Sequence, residues 1–138
     1  MKTFSEYLAE ANITNKEVAD MANANDALLD KTYGYGRSRI SPIRGKNKAF
    51  GQASNFNSAL RGIIAAKRSK GNLRATSDAI HRGWGETVKT HPASDSKKQA
   101  NREKLKGTPY FKLSRDEQSK DDVIAKNIIK RVKRKKKK

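Results

Sequence analysis

Residues 54–71 read SNFNSALRGIIAAKRSKG, and this stretch is the best-defined helix of the chain. Ser54 is a suitable N-cap, and Ser69-Lys70-Gly71 ends the pattern. Apolar side chains recur at helical spacing between these limits, at Phe56, Leu60, Ile63 and Ile64. Basic residues lie away from that stripe, at Arg61, Lys67, Arg68 and Lys70. A helix with one apolar face needs partner helices, so we expect a mainly α, small helical domain.

Towards the C terminus, Asn72 begins a second helix with an apolar side at Leu73, Thr76, Ala79 and Ile80. The sequence Gly83-Trp84-Gly85 should break or bend it. Trp84 is interpreted as a core residue rather than a stacking platform. Thr90-His91-Pro92 then stops the segment.

Residues 94–106 favour a helix capped by Ser94, with too few apolar side chains to hold it on a core. Residues 109–113 alternate like an edge strand or fold back as a hydrophobic tether. Ser114 and Glu117 form the capping box of a last helix, whose apolar face carries Val123, Ile124, Ile128, Ile129 and Val132. The small helical body is therefore predicted to span 54–132, followed by a disordered basic tail at 133–138.

Towards the N terminus, residues 11–30 form a helix whose capping box is Thr14 with Glu17. A helix-turn-helix with a turn near Asn23 is disfavoured, because its second helix would bring Asp26 and Asp30 to the phosphates. Residues 31–53 are rich in Gly, Tyr and Arg and are predicted to be a flexible basic linker. Two interpretations remain open for this linker: its rings and guanidinium groups contact nucleic acid, or it solubilises the chain while its tyrosines pack on the core.

Composition indicates a thin core. Leu, Ile, Val and Phe together number 24 of 138 residues, and the formal net charge is +18. Low branched-aliphatic content with high charge is typical of partial disorder. The chain has no cysteine, so neither a disulfide framework nor a thiolate metal site is available. There is also no apolar run long enough for a membrane span, and no secretory signal pattern.

Charge is unevenly distributed. Residues 1–30 contain two basic and six acidic side chains, whereas residues 31–138 contain 30 basic and eight acidic ones. This polycationic body indicates a nucleic-acid partner, bound through phosphates and without sequence specificity. The candidate nucleic-acid-binding residues are Tyr33, Tyr35, Arg37, Arg39, Arg44, Lys46, Lys48, Arg61, Lys67, Arg68, Lys70, Lys130, Arg131, Lys133, Arg134 and Lys135.

No catalytic or cofactor motif accompanies this charge. His81 and His91 stand ten residues apart and lack the spacing of metal ligands. Gly34-Tyr35-Gly36 lacks the preceding strand and third glycine of a dinucleotide turn. A nuclease site drawn from His81, Arg82 and Glu86 is disfavoured because His81 adjoins the apolar Ile80. We therefore expect no enzyme activity, no metal, no cofactor and no membrane partner.

The first eleven residues form a separate unit, Met-Lys-Thr-Phe-Ser-Glu-Tyr-Leu-Ala-Glu-Ala, with a Thr3/Glu6 capping box and one apolar face. This string resembles the capsid-targeting sequence of the internal head proteins of T-even bacteriophages, although Ser5 replaces the usual amide residue. The resemblance implies that residues 1–10 are a propeptide recognised by the prohead scaffold. It also implies that the prohead protease reads Leu8 and Glu10 and cuts before Ala11.

Resemblance and charge together predict a phage internal head protein that is packaged with DNA in the virion and then ejected into the host cytoplasm. There it would bind nucleic acid without specificity, inhibit a host defence enzyme, or both. The alternative is an intracellular host-takeover protein, associated with RNA, ribosomes or DNA and not packaged in the head.

Overall fold

The structure, a computed structural model, describes residues 13–136 apart from the side chains of Arg44 and of residues 134–136. Five α-helices and no strands lie within this range, which confirms the mainly α prediction. The helices are α1 (Asn15–Tyr33), α2 (Phe50–Arg68), α3 (Leu73–Thr90), α4 (Ser96–Lys106) and α5 (Arg115–Lys136). Short 3-10 turns lie at Arg44–Lys46 and Tyr110–Lys112.

Side-chain caps set several helix ends. The Thr14 hydroxyl accepts a hydrogen bond from the amide of Glu17 at 3.1 Å, and Asn72 accepts one from Ala75 at 2.9 Å. Ser114 caps α5 by accepting from Glu117 at 3.3 Å. These three caps confirm the predicted helix starts, because each oxygen satisfies a first-turn donor that has no partner within its helix.

Two other predicted starts are corrected. Helix α2 begins at Phe50, before Ser54, and the Gln52 side chain accepts a hydrogen bond from the amide of Ala49 at 3.3 Å. Asp95 rather than Ser94 caps α4, accepting from the amides of Lys97 and Lys98. In both cases a side chain near the predicted cap satisfies the orphan donors instead.

Contacts between helices give their directions. Asp26, late in α1, accepts from Asn55, early in α2, at 3.2 Å. Asn57, early in α2, donates to Thr87, late in α3, at 2.9 Å. Tyr33 at the end of α1 shares a hydrogen bond with Ser119, early in α5. A second contact, from Asn127 of α5 to Asn25 of α1 at 2.9 Å, shows that α1 is antiparallel to α5. Gly62 faces Ile128 and Gly71 faces Lys133, so α2 and α5 end on the same side of the molecule.

The core lies between α1, α2, α3 and α5. Its fully buried side chains include Val18, Phe56, Ile63, Ile80 and Ile128. Gly62 allows α2 to approach α5 closely, because a Cβ at this position would lie 2.5 Å from Ile128 Cδ1. Close packing of this kind leaves little room for added atoms.

The predicted break at Gly83-Trp84-Gly85 is wrong, since α3 continues through it. A Cβ at Gly83 would stand 2.8 Å from the carbonyl oxygen of Asn57, so this glycine permits close contact with α2. Trp84 is half-buried, stacked on the His81 ring at 5.9 Å and edge-on to Phe50 at 6.3 Å.

The bounds of the predicted linker over 31–53 are corrected, since residues 31–33 belong to α1 and residues 50–53 to α2. The segment between them, from the end of α1 to the start of α2, is hydrogen-bonded to α1. Asn23 donates to the carbonyl of Ile40 and accepts from its amide, both at 3.0 Å. Asp26 also accepts from the amide of Ser38 at 2.8 Å. Ile40 is only 2% exposed and anchors the segment in the core. Polar side chains of α1 therefore hold the backbone of this segment against the helix, although the composition of the segment indicates flexibility.

Two further predictions near the C terminus are corrected. Within residues 109–113, Tyr110–Lys112 form a 3-10 turn rather than a strand. Tyr110 and Leu113 are buried, as the tether interpretation expected, whereas Phe111 is exposed. Helix α4 is held on the body, with the Arg102 guanidinium 3.8 Å from the centroid of the Phe50 ring.

The predicted tail from residue 133 is helical through Lys136, because Val132 packs on the core and supports the last turns of α5. Residues 137–138 of the tail lie outside the described residues.

Candidate nucleic-acid interface

Two basic segments meet where α2 and α5 end. We define the basic end by the side chains of Lys67, Arg68, Lys70, Lys130, Arg131 and Lys133. The first three lie on the last turn of α2 and the tight turn after it, and the others lie on α5. Residues about sixty positions apart in the sequence are thereby brought to one side of the molecule.

The turn after α2 brings these segments into contact. Lys70 and Gly71 have φ values of 56° and 85°, and the Gly71 amide donates to the carbonyl of Ala66 at 2.9 Å. This left-handed pair closes the helix in the manner of a Schellman-type cap. A Cβ at Gly71 would lie 3.3 Å from Lys133 Cε and 3.4 Å from Ile129 Cγ2, so the turn packs directly on α5.

Charge along α5 is strongly polarised. Its first eight residues contain four acidic side chains, whereas residues 126–136 contain seven basic ones and no acidic one. The sign of the side-chain charge therefore reverses along a single helix of about 33 Å. The basic half supplies closely spaced cations, which is the feature that attracts a polyanion.

Arg134 and Lys135 continue α5 just beyond the basic end. Most of the remaining candidates lie at the opposite end, which we call the loop end and define by residues 33–49. Arg37, Arg39, Lys46 and Lys48 are exposed there, and the Arg44 backbone forms part of a 3-10 turn. Helix α2 separates the two ends by about 28 Å along its axis. The structure therefore divides the predicted binding residues into two groups that cannot contact the same few phosphates.

Tyr33 and Tyr35 stack on each other at the loop end rather than standing apart. Their ring centroids are 5.3 Å apart at an interplanar angle of 19°. The Lys120 ammonium lies 5.6 Å from the Tyr35 ring centroid. A hydrogen bond with Tyr35 raises the pKa of Lys120, against the effect of partial burial. The two rings thus contact each other and the start of α5, while Tyr35 remains 56% exposed, so neither ring is part of the core.

The loop end is electrostatically mixed. The acidic first turns of α5 adjoin it through the contacts that Ser119 and Lys120 make with the two tyrosines. Asp26 and Asp30 accept hydrogen bonds from the backbone of the loop segment. Carboxylates close to the cations weaken their attraction for phosphates. The start of α1 brings Glu17 and Asp20 to the side of the basic end, and Asp20 pairs there with Lys16 at 2.8 Å. The six cations of the basic end still outnumber these acids, so it is the stronger candidate interface.

Arg61, the last candidate, lies between the two ends. Its guanidinium is 2.7 Å from the carboxylate of Glu86 on α3. This ion pair places Arg61 in a contact between α2 and α3 rather than in either basic surface.

A groove along α3 was missed in the sequence. It has a volume of about 930 Å³ and is bordered by α3, the end of α4 and the turn that carries Phe111. Arg74, Lys89 and Lys106 lie on its wall, and none of the three was among the candidates. The spacing of Arg74, Asp78 and Arg82 at every fourth residue was the available signal, since such residues share one helix face.

Several predictions fall outside this geometry. Leu8, Glu10 and Ala11, and with them the cleavage site, lie outside the described residues. Between residues 13 and 136, no group of three or more His, Asp or Glu side chains is placed to hold a metal ion. None of the helices in that range is both long and apolar enough to cross a membrane.

In a comparison with known proteins, the chain matches no family model, and no curated protein sequence or solved structure is significantly similar to it.

Proposed function

We propose that this chain is a phage internal head protein, packaged with DNA and ejected with it, which binds nucleic acid through phosphates without reading sequence. The observation that supports this proposal is the basic end, where two basic segments distant in the sequence meet at the ends of α2 and α5. The resemblance of residues 1–11 to a capsid-targeting sequence supplies the proposed route into the particle.

Phosphate binding follows from the chemistry of the basic end. Lysine and arginine side chains release condensed counterions when they neutralise phosphates, which drives association at low salt. Specific readout would require side chains placed against base edges by a helix that enters the major groove. The long lysines of α5 instead present mobile point charges, which suit any duplex equally.

Removal of the proposed leader would change the net charge of the protein only slightly. Removal of residues 1–10 would take away one basic and two acidic side chains and raise the formal net charge from +18 to +19. The processed protein would therefore meet packaged DNA slightly more positively charged than its precursor.

Intact-mass measurement on purified particles tests the proposed route. Particles assembled in cells that express this chain should contain a species beginning at Ala11. A Glu10→Ala variant should enter the particles uncut, because the protease would lose the acidic residue before the cut. Absence of the chain from particles, or full-length unaltered chain inside them, would contradict the proposal.

The loop end favours a protein partner as a second, compatible role. Tyr35 and Ile43 are each 56% exposed and both belong to the segment that defines the loop end, so this end presents apolar surface to a partner. Inhibition of a host defence enzyme, or action as an unpackaged host-takeover protein, would use such a surface. Capture from nuclease-treated host lysate tests it: a partner lost in a Tyr35→Ser, Ile43→Ser variant supports the role, and capture only through nucleic acid opposes it.

A further inference from the structure

The groove along α3 offers a kind of binding that the basic end does not. Phe111 stands at its edge with 65% of its surface exposed, the largest exposure among the big apolar residues of the described range. A ring so exposed beside cations is the combination that proteins use to stack unpaired bases.

Phe111 is held in place although its ring is exposed. Its neighbour Tyr110 is 7% exposed, donates its hydroxyl hydrogen bond to Asp122, and accepts from Gln118 through its carbonyl at 3.1 Å. The ring nitrogen Nε2 of His81 lies 2.8 Å from the carbonyl of Thr108. The turn is thereby fixed to α3 and α5, so little backbone freedom would be lost when a ligand stacks on Phe111.

The charges of the groove favour an anionic ligand. Its two acids are engaged, since Asp78 pairs with Arg82 at 3.1 Å and Glu86 with Arg61 at 2.7 Å. Arg74, Lys89 and Lys106 form no ion pair with any described residue. Arg74 and Lys89 are about 22 Å apart along α3, which matches a few nucleotides of extended single strand.

The groove is also continuous with the basic end. Asn72 lines it, and the preceding Gly71 packs against Lys133 of α5. A strand held by phosphates at the basic end could therefore continue directly along α3.

We infer that this groove binds single-stranded nucleic acid, with an unpaired base stacked on Phe111 and phosphates bound by Arg74, Lys89 and Lys106. The inference rests on the proposed function for the class of ligand and adds a preference for unpaired strands at a separate place.

Fluorescence anisotropy with the full chain tests this inference, using oligothymidylate of about twelve nucleotides and a duplex of the same length. Phe111→Leu keeps an apolar side chain but removes the aromatic face. It should weaken oligothymidylate binding by at least about five-fold and leave duplex binding unchanged. Phe111→Tyr should retain the affinity. Because the side chain is exposed, both variants should fold, which thermal unfolding monitors.

Failure of the two proposals can be told apart. Lys130→Gln with Lys133→Gln should weaken binding of both probes, because the basic end serves both. If the unaltered chain does not bind duplex, the proposed function fails. If it binds duplex but Phe111→Leu leaves oligothymidylate affinity unchanged, or if an acidic peptide displaces oligothymidylate and binds Phe111→Leu equally well, this inference is overturned.

Discussion

At the scale of the residue, two glycines determine how closely α2 packs against α3 and α5. Gly62 faces the side-chain tips of Ile128 and Ile80, which are themselves fully buried, whereas Gly83 faces the backbone of Asn57. The sequence showed both glycines within helical patterns, but only the packing shows that a Cβ at Gly83 would meet backbone atoms, which cannot move aside as a side chain can.

Gly83→Ala should therefore lower the free energy of unfolding by about 1–3 kcal/mol, even after the intrinsic helix preference for alanine is included. Gly45→Ala is the control, because no atom lies within 4 Å of the added Cβ. Urea denaturation of the two variants measures the difference. Equal stability for both would show that α2 and α3 do not approach as closely as described.

Asp121 gives a second residue-scale prediction. Burial, followed by the nearby Asp122 and Glu117, raises its pKa from 3.8 to about 8. The folded state thus holds the proton of the Asp121 carboxyl group more tightly than the unfolded chain does. The stabilisation that this protonation gives the folded state is complete below about pH 4 and is lost as the pH rises through about 8.

Asp121→Asn should remove this contribution to the pH dependence of unfolding between pH 5 and pH 8 and stabilise the protein at the upper end of that range. Asp116→Asn, an exposed change on the same helix, should leave the dependence in place. Urea denaturation at several pH values provides the measurement. A dependence that persists unchanged in Asp121→Asn would contradict the assignment.

At the scale of the element, helix starts were predictable where a side-chain cap stood next to a periodic apolar face, as at Thr14, Asn72 and Ser114. The ordered loop was not predictable, because its order comes from Asn23 and Asp26, which lie on another helix. The α4 contact was missed for the same reason: Arg102 packs on Phe50, across a long sequence separation.

The site shows the same division. Composition identified the basic residues, but only the helix directions separate Arg37 and Arg39 from the basic end. The groove was not predictable, because it depends on the turn that carries Phe111. The sequence there indicated a strand or a tether, whereas the structure buries Tyr110 and exposes Phe111.

Asn23→Ala tests the ordered loop. The change removes both hydrogen bonds to the backbone of Ile40 and should destabilise the protein by about 1–3 kcal/mol. Amide exchange of Ile40 should accelerate well beyond the global change. Asn101→Ala, on the exposed face of α4, serves as the matched control. Slow exchange at Ile40 in Asn23→Ala would contradict the proposed attachment.

At the scale of the whole molecule, the arrangement sorts charge by position. The ends of α2 and α5 gather cations on one side, while the acidic start of α5 adjoins the loop end. Phosphate binding should therefore depend on which end is altered and not merely on total charge. Two double variants that remove the same charge, one at the basic end and one at the loop end, form a matched comparison.

The salt dependence of duplex binding distinguishes phosphate binding at the basic end from sequence readout and from binding at the loop end. The slope of log affinity against log salt should be steep for two unrelated duplexes, and Lys130→Gln with Lys133→Gln should reduce it by about 1.8. Arg37→Gln with Arg39→Gln, which removes the same charge from the loop end, should change it much less. A nearly flat slope, a strong preference for one duplex, or a larger effect from the loop-end pair would contradict the account.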